Sequence, residues 1–242
     1  MWTADVRFGD IYDIREFITP YNLAVRRLTE KLISGKESEE EKVLACWKWV
    51  VEEIDYPLDH DGNNSDACVL LSCYTGSGGN DIRAISKALS RKNLDKFKLR
   101  LGQTDFWQMP AEVLGWRNTA GRLMGDCEGS SVALVSMMRY FTDEVYAHLG
   151  TVGGYGHCWA EWRGSILETT LDRLPGGGNV GITEVIESQS PHDYRSDAKF
   201  NDRVFEGDLS RFKGFSVGAL SEAEYCWGVR SKISRMRGIA VC

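Results

Sequence analysis

A cysteine, a histidine and a carboxylate stand in an order that suits thiol chemistry. Gly125-Asp126-Cys127-Glu128 leads into Val132-Ala133-Leu134-Val135-Ser136-Met137-Met138, a stretch so apolar that it predicts a buried central helix with Cys127 at its start. A thiol is a nucleophile only as thiolate, and the free N–H groups and dipole of a first helical turn favour that charge. The same N–H groups suit the oxyanion of a tetrahedral intermediate. His157, behind the glycine-rich Gly153-Gly154-Tyr155-Gly156, reads as the head of a strand facing a cleft, where an imidazole can take the thiol proton.

An imidazole in that role needs an acceptor to orient it. If the hairpin after His157 turns on two residues, Arg163-Gly164 or Gly164-Ser165, His157 lies opposite Thr170 or Asp172. Glu168 is then an even number of residues from both and shares the face of His157. Glu168 is the expected third member and Asp172 the runner-up.

The elements that must position these groups follow from periodicity. Leu23, Leu28 and Leu32 predict a helix over about 20–34. Ser38 with Glu41 forms a capping box before Val43, Leu44, Trp47, Val50, Val51 and Ile54, so a second helix is expected from Ser38 to about Ile54, ended by Pro57. His60 to Asp66 and Thr75 to Asn80 read as loops, and 81–101 as a helix or mobile arm. Asp105 to Glu112 reads as a loop entering a short helix at Pro110. Val145 to Val152, His157 to Arg163 and Ser165 to Thr170 read as strands. Beyond the glycine run at 176–178, aromatic residues imply that the remainder packs on the same domain. One domain over 1–242 is expected, with its core at about 38–172 and 173–242 as an extension. The glycines at 76–79 and 153–156 are candidates to gate the cleft.

With 43% apolar and 26% charged residues the chain is ordinary globular material, and its net charge of −6 argues against a nucleic-acid partner. No apolar run approaches a membrane span, and the first residues lack a secretory pattern. Seven cysteines, an odd number without paired zinc or redox spacing, read as free thiols. Together these make a cytoplasmic location the expectation.

Gly125-Asp126-Cys127-Glu128 and the helix after it resemble the nucleophile motif of the transglutaminase-like superfamily. His157-Cys158-Trp159-Ala160-Glu161-Trp162 resembles its His-x-Trp-x-Glu strand, and Ile166-Leu167-Glu168-Thr169-Thr170 its Leu-Asp-Pro-Thr segment. Ala45-Cys46-Trp47-Lys48-Trp49-Val50 with Ile54-Asp55-Tyr56 is similar to the family's upstream helix. Asp105-Phe106-Trp107-Gln108-Met109-Pro110-Ala111-Glu112 is similar to a segment of the bacterial transglutaminase-like cysteine peptidases. The resemblance covers about 38–172. It implies an α+β, papain-like/transglutaminase-like core with the nucleophile helix on an antiparallel sheet. It also implies acyl transfer on amides of a protein or peptide substrate.

Hydrolysis through a Cys127 thioester is the expected reaction, because the chain lacks room for the extra β-domains of large cross-linking transglutaminases. Transfer to a second amine is the alternative, and a binding or structural protein that keeps the fold is the third. The resemblance implies an oxyanion donor upstream of the nucleophile, for which Gln108 and Trp107 are the candidates, with core packing the alternative for Trp107. Trp159 alternates with His157 on its strand face, as a shield for the imidazole or as core filling. Three departures stand out: Glu168 for the family's Asp, Thr169 for its Pro, and Gly129 for an acidic residue. Calcium-dependent members bind the ion through carboxylates flanking the nucleophile, which Asp126 and Glu128 match. With Gly129 beside them no cofactor is expected, and these two suit the helix N-terminus instead.

Overall fold

The capping box at Ser38 forms as the sequence requires: the Ser38 hydroxyl accepts from the Glu41 N–H at 3.1 Å and the Glu41 carboxylate accepts from the Ser38 N–H. It starts a helix whose Val43, Cys46, Trp47 and Val50 are buried. The computed structural model describes residues 3–7, 10–57, 66–76, 85, 87, 106–117, 121–170 and 193–208. Within these, β1 (Thr3–Arg7) and β2 (Asp10–Asp13) form a hairpin, followed by a 3-10 turn at Ile14–Phe17 and α1 (Leu23–Ile33).

The capped helix is α2 (Glu39–Glu53). It stops before Pro57, because Ile54 and Asp55 become β3 and pair in parallel with Leu123 and Met124 of β4. Next come α3 (Asp66–Thr75), which the sequence reading missed by taking Asp66 and Thr75 for loop ends, and α4 (Pro110–Gly115). The arm expected over 81–101 lies outside the described residues apart from Ile85 and Lys87, which are helical. Proline opens α4 as expected, and the Glu112 carboxylate accepts from the Met109 N–H at 2.7 Å.

The central element is α5 (Cys127–Met138), all of whose residues are buried. Asp126 caps it, accepting from the Gly129 N–H at 2.7 Å. At its far end the buried Arg139 bonds Asp202 and the Thr142 carbonyl.

Against α5 lies an antiparallel sheet of β5 (Val145–Val152), β6 (Tyr155–Trp162), β7 (Ser165–Leu167), β8 (Tyr194–Phe200) and β9 (Phe205–Gly207). Their spatial order is β7-β6-β5-β8-β9. Helices packed on one antiparallel sheet make the fold α+β. The turn after β5 holds two residues, not four: Gly153 and Gly154 take φ of +57° and +87°, and Val152 pairs with Tyr155. Positive φ at both central positions is the hairpin turn whose twist matches the strands. His157 is therefore the third residue of its strand rather than the first. The next turn is Arg163-Gly164, with Trp162 opposite Ser165.

Alternation gives the sheet two faces. Ala147, Leu149, Cys158, Ala160, Leu167, Ala198 and Phe200 join the core around α5. The opposite face carries His148, Gly150, His157 and Trp159, where Val152 and Trp159 form a small cluster with Ile166 and Tyr194. No helix among the described residues is long and apolar enough to cross a membrane.

Candidate active site

Cys127 is the first residue of α5 and only 8% exposed. Its thiol donates to Glu128 Oε2 at 2.9 Å. Burial, and then the charges of Glu128 and Asp126, push its pKa well up. This corrects the expectation of a thiol lowered by its helix. A helix terminus contributes about 0.3–1 kcal/mol in the exposed case, and two flanking carboxylates with desolvation outweigh it. In this resting arrangement Cys127 is a protonated thiol.

His157 presents Nε2 to Glu168 Oε2 at 2.9 Å. Beside a carboxylate the neutral ring carries its proton on Nε2 and keeps the Nδ1 lone pair for a second partner. Burial pushes the imidazolium down, but the hydrogen bond and charge of Glu168, with the charge of Glu128, raise its pKa overall. Glu168 is likewise pulled both ways. Burial raises it, and His157, the Thr170 N–H and the Tyr194 hydroxyl bring it below its ordinary value.

The two-residue turn explains how Glu168 arrives. The β6–β7 ladder ends at Ala160 opposite Leu167, so Glu168 continues on the face of His157 and Trp159. Its Oε1 accepts from the N–H groups of Thr169 (2.7 Å) and Thr170 (2.8 Å) and from the Thr170 hydroxyl (3.3 Å). Oε2 accepts from His157 and from the Tyr194 hydroxyl at 2.8 Å. The Trp47 indole N–H of α2 holds the Glu168 carbonyl at 2.6 Å. A buried carboxylate with this many donors stays ionised. The longer glutamate thus reaches the imidazole from just beyond its strand. Asp172 lies outside the described residues.

Among the described residues no hydrogen bond joins Cys127 to His157: the thiol is turned to Glu128 and the imidazole to Glu168. Glu128 stands between them electrically, since its charge acts on both.

Trp107, a candidate oxyanion donor, packs in the core. Its ring is fully buried, edge-on to Phe17 at 5.2 Å and stacked on Phe200 at 6.1 Å, which makes it a core residue. Gln108 is fully buried too and donates from Nε2 to the Met124 carbonyl at 3.0 Å. Its Oε1 has no hydrogen-bond partner among the described residues. A Cβ on Gly129 would stand 2.7 Å from that oxygen, so an acidic side chain there would require the Gln108 amide to shift. Asp126 is engaged in capping and Glu128 with the thiol. These donors do not fit the flanking calcium site, and no group of three or more His, Cys, Asp or Glu among the described residues is placed to hold a metal.

Trp159 stacks on His157 with centroids 6.2 Å apart and planes 19° apart. The sequence reading missed Tyr194 and the contact of Glu128 with the thiol. It also passed over His148, which lies directly across from Trp159 on β5 and was readable once the Gly153-Gly154 turn fixed the register. Compared with protein-family models, with curated proteins and with solved structures, the chain finds no match, so the reading of this site rests on its own chemistry.

Proposed function

We propose that the chain is a cysteine-dependent acyl-transfer enzyme that hydrolyses amide bonds of a peptide or protein through a thioester on Cys127, in a papain-like core of the transglutaminase-like kind. The observation that carries this reading is the buried His157–Glu168 pair at 2.9 Å, with the remaining acceptor sites of Glu168 filled by protein donors. A histidine so oriented has one nitrogen left for chemistry, Nδ1. The thiol of Cys127 turns from Glu128 toward it. Nδ1 takes the proton as sulfur bonds to the carbonyl carbon, and the imidazolium returns that proton to the amine as the C–N bond breaks. Water, deprotonated by the same nitrogen, then cleaves the thioester and regenerates the thiol. An amine in place of water gives the transglutaminase-type outcome. The chemistry needs no cofactor.

A second reading, a binding protein that keeps the fold, is favoured by the raised pKa of Cys127 and its bond to Glu128. Iodoacetamide labelling followed by peptide mass spectrometry separates the two. We expect Cys127 to react faster than the buried Cys46 and Cys158, and to slow at least tenfold in His157→Ala. Equal rates at Cys127 with and without His157 would leave the binding reading.

A further inference from the structure

Strand β8 carries a defect with a consequence for Glu168. Leu149 pairs with Ala198, but the next residue, Gly150, pairs with Ser196, so Asp197 is an extra residue. A one-residue bulge exchanges the two faces of everything beyond it. Ala198 and Phe200 face the core, and in an unbroken register Tyr194 would face it as well. The bulge instead puts Tyr194 on the face of His157 and Trp159. Its ring meets Trp159 edge-on at 5.0 Å, and its hydroxyl donates to Glu168 Oε2 at 2.8 Å. Gly150 makes the crossing possible: a Cβ there would lie 1.9 Å from the Arg195 carbonyl oxygen and 2.9 Å from Trp159.

We propose that Tyr194 is a positioning residue of this site, its phenol fixing the Glu168 carboxylate at the oxygen to which His157 donates its hydrogen bond. The inference deepens the acyl-transfer reading and rests on it for its bearing on catalysis. Oε2 is the atom shared by the imidazole and the phenol. The phenol therefore holds that oxygen in place and draws off part of its basicity. It joins a set of donors otherwise supplied by His157, Thr169 and Thr170, and it comes from the far side of β5. Among the described residues, the other ionisable groups near His157 and its neighbours are Glu128, Cys127 and Asp126 at α5, Cys158 on β6, and His148 and Glu161 on the shared face of the sheet. None of them hydrogen-bonds the Glu168 carboxylate.

The test is Tyr194→Phe in the full chain, which removes the hydroxyl and leaves the ring against Trp159. His157 is titrated by NMR, its resonance assigned with His157→Ala. With the phenol gone, Oε2 becomes more basic toward the imidazolium, so the His157 pKa is expected to rise by about half a unit to one unit. The acid limb of Cys127 labelling should move up with it. A merely structural tyrosine would change stability and leave the titration in place. An unchanged or lowered His157 pKa overturns the proposal. Its failure is separable from that of the acyl-transfer reading. If Cys127 proves no more reactive than the other cysteines while Tyr194→Phe still shifts His157, positioning stands and acyl transfer falls. If Cys127 is activated and the titration does not move, only the role of Tyr194 falls.

Discussion

Two imidazoles flank Trp159 on one face of the sheet, and they titrate in opposite directions. His148 stacks on the indole at 5.4 Å and His157 at 6.2 Å, each with planes 19° from parallel. They are equally hidden, at 6% and 5% exposure. Burial, with the nearby charge of Lys199, takes His148 down to about 4, whereas His157 is raised. The carboxylates account for the contrast. Glu161 approaches His148 Nε2 only to 3.4 Å, that nitrogen makes no hydrogen bond among the described residues, and burial raises Glu161 itself. Glu168 bonds His157 at 2.9 Å and is itself held anionic by its own donors. A buried histidine beside an acid is therefore not yet a base of use. What counts is whether the acid has been provided with enough donors to keep its charge.

The comparison breaks most completely if Glu168 is neutralised. In Glu168→Gln the imidazole loses its anionic partner while remaining buried, so its pKa should fall below the ordinary histidine value, toward that of His148. The amide can also present its NH2 to Nε2, which favours the wrong tautomer. Cys127 reactivity, or amide hydrolysis once a substrate is in hand, should drop by about 10²–10⁴-fold, the usual contribution of a positioned acid–base group. NMR titration and labelling measure the two effects separately. A glutamine variant that keeps the wild-type titration would mean that Glu168 is packing alone.

The pair also predicts opposite responses of stability to pH. His148 has a folded pKa near 4 against an ordinary 6.5, so between those values the unfolded chain binds the extra proton. Its contribution is whole above pH 6.5 and is lost as pH falls toward 4, on the order of 3 kcal/mol. His157, raised in the fold, contributes below its ordinary pKa and loses that contribution as pH rises through the folded value. Glu168, lowered, contributes above its ordinary pKa and loses it as pH falls through the folded one. Urea denaturation of His148→Phe, which keeps the stack on Trp159, should lack most of the wild-type loss between pH 6.5 and 4. If both proteins weaken alike over that window, His148 is not its source.

Much of this arrangement was legible locally. The Ser38–Glu41 box, the Asp126 cap and the apolar run behind Cys127 are short-range signals, and each acts within a few residues. The parity that brings Glu168 to His157 needed only the assumption of a two-residue turn, and Arg163-Gly164 supplies it. Tyr194 is another matter. It is 26 residues from Glu168 in sequence, on a strand inserted beside β5, and it reaches the correct face only through a bulge. No periodicity in Tyr194-Arg195-Ser196-Asp197-Ala198-Lys199-Phe200 announces an extra residue, because a bulge is decided by what the partner strand tolerates, here Gly150. The helix-dipole argument for Cys127 failed for a related reason. Backbone charge at the helix start says nothing of how deeply the thiol is buried, or of where the side chains of Glu128 and Asp126 lie.

Glu128 gives the smallest of the expected effects and the sharpest view of the resting thiol. Glu128→Gln removes the anionic acceptor that holds the Cys127 proton and one of the charges that raise its pKa. A hydrogen bond to a charged group contributes about 1.5–3 kcal/mol, and tenfold corresponds to about 1.4 kcal/mol. Labelling of Cys127 at neutral pH should accelerate about tenfold, with its pH midpoint moved down and Cys46 unchanged. Glu128 also supports the imidazolium of His157, but through charge alone and after Glu168. Its loss should therefore weaken the base less than it frees the nucleophile. Combining Glu128→Gln with His157→Ala should remove most of the gain, since a freed thiol still needs Nδ1 to take its proton. If Glu128→Gln slows Cys127 instead, the carboxylate acts chiefly through His157, and the contrast between the two imidazoles depends on α5 as well as on Glu168.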